Sequence, residues 1–178
     1  MKSIFSLLLF LISCVCLSEE YPACNVHIDR ESTILVNEKI VNLAVSIESK
    51  KNCENPKLEI KFYIPSSNRV VYHYKALIEP ILLENWKNVT LEYAQNYVEG
   101  FFSEGSFIKC SNILPSDLGN ESAYDYNVLF VSKRAYEKYR ANTSNCIVFI
   151  HQVGYETSRY VVFHKGENKG VTLSEFGI

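Results

Sequence analysis

The sequence predicts an α+β fold: an antiparallel, β-rich single domain with one long amphipathic helix over about 81–101 and two disulfides. Three observations predict it. Apolar and polar residues alternate along 40–48 and again along 58–64, the period of a half-buried strand. From Leu82 to Phe101 the apolar residues recur every three or four positions, the period of a helix. Beyond a leader-like N-terminus the cysteines form an even set, Cys24, Cys53, Cys110 and Cys146. A β-sandwich is the alternative, and it requires the helical reading to be wrong.

Residues 1–18 read as a secretory signal peptide. Lys2 is their only charge, and the apolar run that follows through Ile12 is shorter than the roughly 20 residues a bilayer span needs. Cys16 and Ser18 supply the small side chains for a cut before Glu19, leaving 19–178 as one disulfide-stabilised extracellular domain. Leu11-Ile12-Ser13-Cys14 also fits a bacterial lipobox. Cleavage there, however, would add Cys14 and Cys16 to the four later cysteines. Four cysteines admit three pairings, and Cys24–Cys53 with Cys110–Cys146 is favoured because each closes a local loop. A metal site is disfavoured by wide spacings and the lack of any C-x-x-C pair.

Within the domain, Val41, Leu43, Val45 and Ile47 alternate with Ile40, Asn42, Ala44, Ser46 and Glu48. Leu58, Ile60, Phe62 and Ile64 then define a second strand. Pro65-Ser66-Ser67-Asn68 has turn chemistry, and 69–75 returns as a hairpin partner with Val70, Tyr72 and Tyr74 on one face. Pro80 and Gly100 bracket the helical stripe, which places Leu82, Trp86, Val89, Tyr93, Tyr97 and Phe101 inward. Residues 111–126, with Pro115 and Gly119, read as a loop, and Val128–Val131 as a buried strand. Residues 133–140 suit a short helix with Ala135, Tyr136 and Tyr139 inward. The runs 146–151 and 159–164 suit a final hairpin with Ile147 opposite His164.

Three sequons, at Asn88, Asn120 and Asn142, are glycosylation acceptors in a secreted chain. A formal net charge of −2 implies no electrostatic partner and excludes the basic excess of a nucleic-acid binder. No membrane span is expected, and no cofactor. The four histidines, His27, His73, His151 and His164, lack metal-ligand spacing and read as structural or surface groups. No nucleophile elbow or phosphate loop is present, and paired cysteines offer no thiolate. The basic stretch Lys133, Arg134, Lys138 and Arg140 reads as a solvated helix face, with binding to an anionic polymer as its rival.

Aromatic residues make up 13% of the chain, and tyrosine suits contact surfaces because it joins area to a polar tip. Tyr124, Tyr126 and Tyr155 fall in loops or turns and are the candidate partner-binding residues. The expected function is therefore a secreted glycoprotein that binds another extracellular protein without catalysis. The alternatives are a carrier for a small apolar ligand and, third, a secreted hydrolase.

Overall fold

Two antiparallel meanders carry most of the residues that a computed structural model of the chain describes, namely 24–49, 55–78, 81, 89–113, 133–141 and 146–177. The first sheet runs β1 (Val26–Val36), β2 (Lys39–Glu48), β3 (Lys57–Ile64) and β4 (Arg69–Leu77). The second runs β5 (Phe107–Lys109), β6 (Cys146–Gly154), β7 (Thr157–His164) and β8 (Val171–Gly177). Helices are few: α1 (Leu91–Gly100), α2 (Cys110–Ile113) and α3 (Lys133–Ala141). The fold is largely β.

Alternation places the core as expected. Val41, Leu43, Val45 and Ile47 of β2 and Leu58, Ile60, Phe62 and Ile64 of β3 are buried on one face. That face packs on the second sheet, where the Phe62 ring meets Phe149 at 4.9 Å and Phe163 at 4.8 Å between centroids. Tight turns fix the hairpins. Asn37 and Glu38 both take left-handed backbone between β1 and β2, as the twist-matched two-residue turn requires. Asn68 does so at the end of the Pro65–Asn68 turn.

Strand β1 had no clear signal, because its middle reads Asp29-Arg30-Glu31-Ser32-Thr33. Its ladder breaks between Glu31 and Leu35, where the Ser32 hydroxyl donates to the Val41 carbonyl at 2.6 Å and accepts from the Ile34 amide at 3.2 Å. In β4 the expected shared face of Val70, Tyr72 and Tyr74 is corrected. The register moves from Phe62↔Tyr72 to Tyr63↔Val70, so Val71 is an extra residue. This bulge turns Val71 and Tyr72 both into the core and Val70 outward.

The long helix over 81–101 is also corrected. Ile81 is helical, but Val89 and Thr90 are not, and α1 begins at Leu91; residues 82–88 lie outside the described set. Thr90 is the cap: its side chain accepts from the Tyr93 amide at 3.1 Å. The inward face of α1 is Ala94 and Val98, with Phe101 just beyond, whereas Tyr93 stays exposed. Small Ala94 lets the helix lie close over the open side of the core. Arg30 then clasps Glu99 through two bonds, at 2.7 and 2.6 Å.

A second, smaller core fills the far face of the second sheet. Tyr139 of α3 packs there with Val148, Val162, Leu173 and the Cys110–Cys146 disulfide, whose Cα atoms are 5.4 Å apart. Helix α3 lies where 133–140 predicted it. In the expected 111–126 loop, residues 111–113 are instead helical, in α2. The expected Val128–Val131 strand, the 1–18 leader and Cys53 lie outside the described residues. Cys24 is disulfide-bonded. Among the described residues no helix is long and apolar enough to cross a membrane.

Candidate interaction surface and a buried histidine network

The outer face of the first sheet is charged at one end, apart from the exposed Leu77, and apolar at the other. At one end Glu59 holds His73 at 2.7 Å and Lys75 at 3.0 Å. Burial opposes ionisation of that carboxylate, but the bonds from Lys75 and His73 outweigh it and hold its pKa below the usual range. In the middle, Asp29 accepts from Asn42 at 3.0 Å and from the Tyr63 hydroxyl. Bonding to Asp29 raises the Tyr63 phenol pKa, and the Lys61 ammonium lies 5.2 Å from the ring centre.

At the turn end the polar residues give way. Leu35 faces Ile40, and Tyr63 faces Val70, in direct cross-strand pairs, with Ile40 and Tyr63 diagonal neighbours on β2 and β3. Leu35, Ile40 and Val70 are 42%, 46% and 48% exposed. Regular alternation puts Ile40 and Tyr63 outward, whereas Leu35 and Val70 lie beside the ladder irregularities of β1 and β4.

Between the two sheets runs a polar chain of side chains. Tyr72 of β4 meets Nε2 of His151 on β6 at 2.7 Å, and His151 Nδ1 lies 3.0 Å from the Gln152 carbonyl. A carbonyl only accepts, so Nδ1 carries the proton and Nε2 accepts from the Tyr72 hydroxyl. Arg159 of β7 grips Glu175 of β8 at 2.5–2.7 Å, and its positive charge near Tyr72 partly offsets the effect of burial on that phenol. Its guanidinium lies 4.9 Å from the centre of the Tyr74 ring. Burial pushes the His151 pKa down to about 4, and nearby Arg159 adds to the shift. Burial likewise pushes Tyr72 up to about 12. His151 is thus a neutral imidazole with both nitrogens engaged, and its partners are a phenol and a carbonyl rather than a serine or thiol.

The histidines do not sit as the expected hairpin register had them. Gly154 pairs with Thr157, which continues to the expected pairing of Ile147 with His164. The ladder then shifts between Gln152 and Gly154, so that Cys146 faces His164 and His151 faces Arg159. One residue of slip reverses faces. His151 therefore points at the first sheet, while His164 lies under α3 beside Tyr139, with Nδ1 accepting from the Gly166 amide at 3.2 Å. His27 lies exposed on β1, as His73 does on β4. No group of three potential ligands that could hold a metal occurs among the described residues. In the basic stretch, Lys138 is exposed and bonds Glu167 at 2.7 Å.

Of the predicted contact residues, Tyr155 is 55% exposed at the β6–β7 turn. Tyr124 and Tyr126 lie outside the described residues, as do Asn88, Asn120 and Asn142. Between the sheets the Phe62, Phe149 and Phe163 rings are in contact and almost fully buried. Open clefts lie at the margins, one of about 350 Å³ between α1 and β6, lined by Tyr97, Phe101, His151 and Gln152. A larger one of about 620 Å³ lies between β1 and β5. Sequence reasoning missed Tyr72, Arg159 and Glu175 as one network, because Tyr72 and His151 are 79 residues apart. The available signal was a charged Arg159 inside a β-rich run.

No protein-family model matches the chain, and no curated protein or solved structure matches it.

Proposed function

We propose that the chain is a secreted glycoprotein that binds another extracellular protein without catalysis, using the apolar end of the first sheet's outer face. The observation that carries this reading is the group Leu35, Ile40, Tyr63 and Val70: three exposed aliphatic side chains and a tyrosine on adjoining strands. Contiguous apolar surface rimmed by polar groups marks contact sites, and rigid strands hold it at little entropic cost. The Cys110–Cys146 bond and the leader-like N-terminus support an oxidising compartment. Tyr155, with Tyr124 and Tyr126, extends the contact set. Close packing of Phe62, Phe149 and Phe163 weighs against the apolar-ligand carrier.

The test is a native mass spectrum of the mature protein purified from its own secretion under non-reducing conditions. A stoichiometric second polypeptide is the expected result. A bound species of a few hundred daltons, roughly the size of a drug-like ligand, would overturn the reading in favour of a carrier.

A further inference from the structure

We propose that His151 is an acid-sensitive latch between the sheets: a proton taken on Nε2 breaks the bond to Tyr72 and releases β4 from β6 along the cleft beside α1. The geometry leaves that proton nowhere to go. His151 is 3% exposed, and its ring faces Tyr72 and Tyr74 from β4, Arg159 from β7 and, through Arg159, Glu175 from β8. Across the cleft, α1 presents Tyr97. Its own strand supplies the Gln152 carbonyl, which already accepts from Nδ1. A protonated Nε2 becomes a donor and can no longer accept from the Tyr72 hydroxyl, so the bond that joins the two strands is lost as it stands. The new imidazolium would also sit near the Arg159 cation, whose carboxylate partner Glu175 is engaged. Relief comes when water reaches the ring.

The element that must move is an edge strand. Strand β4 is an edge of its sheet, paired only with β3. Its links to the second sheet run through Tyr72, through Arg159 beneath Tyr74, and through the Gly170 amide, which donates to the Val71 carbonyl at 2.9 Å.

The direction in pH follows from linkage. Burial holds the folded-state pKa of His151 at about 4, below the value of 6.5 for a free imidazole, so the fold favours the neutral form. The stability this contributes is full above pH 6.5, falls as the unfolded chain takes up a proton, and is gone near pH 4. A gap of that size corresponds to roughly a 300-fold change in the folding equilibrium.

The experiment follows histidine ring protons and backbone amide exchange by NMR on the mature, disulfide-intact chain between pH 7.5 and 3.5. The expected result is a His151 midpoint near 4, with β4 amides losing protection over that interval while β2 keeps its own. A midpoint near the free value, or unchanged β4 protection through the titration, overturns the latch. In His151→Gln, whose amide still accepts from Tyr72 but takes no proton, the acid loss of β4 protection should disappear; an opening identical to that of the parent overturns it. Should that variant not fold, Tyr72→Phe is read instead. Without its hydrogen-bond partner, His151 should titrate at a higher pH, and an unmoved midpoint and opening pH overturn the proposal.

Discussion

Gly170 lies hard against the ring of Phe163: a Cβ built on Gly170 would stand 2.7 Å from the ring edge. The Gly170 amide also donates to the Val71 carbonyl, so the backbone is fixed from one side and the aromatic ring from the other. Phe163 cannot retreat, because it packs on Phe62 at the centre of the core. Gly170→Ala should therefore destabilise the protein by about 1–3 kcal/mol, the usual cost of overpacking. Gly100→Ala is the contrasting case. It ends α1 with open space around its Cβ and no left-handed backbone, and should gain about 0.5–1 kcal/mol. Urea unfolding of the two variants checks both signs.

The Cys110–Cys146 bond spans 36 residues of sequence and borders the smaller core with Tyr139 and Val148. Closing a loop of that length in the unfolded chain accounts for about 4 kcal/mol. Cys110→Ser with Cys146→Ser should lower stability by about that much. Because the smaller core is separate from the Phe62 core, amide exchange should rise first in α3 and last in β2 and β3. Uniform loss of protection would show that the two cores unfold as one.

Thr90 carries two chemistries that a mutant series can separate. It caps α1 through its bond to the Tyr93 amide, and it completes the Asn88-Val89-Thr90 sequon. Thr90→Ala should lose the cap, at about 1 kcal/mol, together with any glycan at Asn88. Thr90→Ser should keep both, and Asn88→Gln should lose only the glycan. Thermal melts of enzymatically deglycosylated samples should then separate Thr90→Ala from the other two. Equal melting temperatures would remove the cap from the account.

The same local events explain what the sequence disclosed and what it hid. Strict alternation in β2 and β3 is legible because every inward position is aliphatic or Phe62. Strand β1 was hidden by its polar middle, where Ser32 replaces ladder bonds with its own hydroxyl. Single extra residues misled the pattern twice, at Val71 in β4 and between Gln152 and Gly154 in β6. A bulge adds no compositional mark, yet it reverses faces, and so it decided that His151 and His164 look opposite ways. Thr90 interrupted a helical stripe whose apolar period continued through it. The Tyr72–His151–Arg159 network was illegible for another reason: its parts come from three strands on two sheets.

The apolar end of the first sheet makes the functional reading testable at single residues. Ile40 and Val70 project outward, about half exposed, so replacing either with lysine removes little core contact. Ile40→Lys and Val70→Lys should change stability by no more than about 0.5 kcal/mol, as surface substitutions do. Each would place a charge among Leu35 and Tyr63, and a protein partner seated there would have to bury it, at a cost of several kcal/mol unless it is paired. The co-purifying polypeptide should therefore be lost from both variants while their melting temperatures match the parent. Tyr155→Ala, at the β6–β7 turn, measures whether the contact reaches the second sheet. Retention of the partner by both lysine variants would remove this face from the interaction and leave the tyrosines as the remaining contact set.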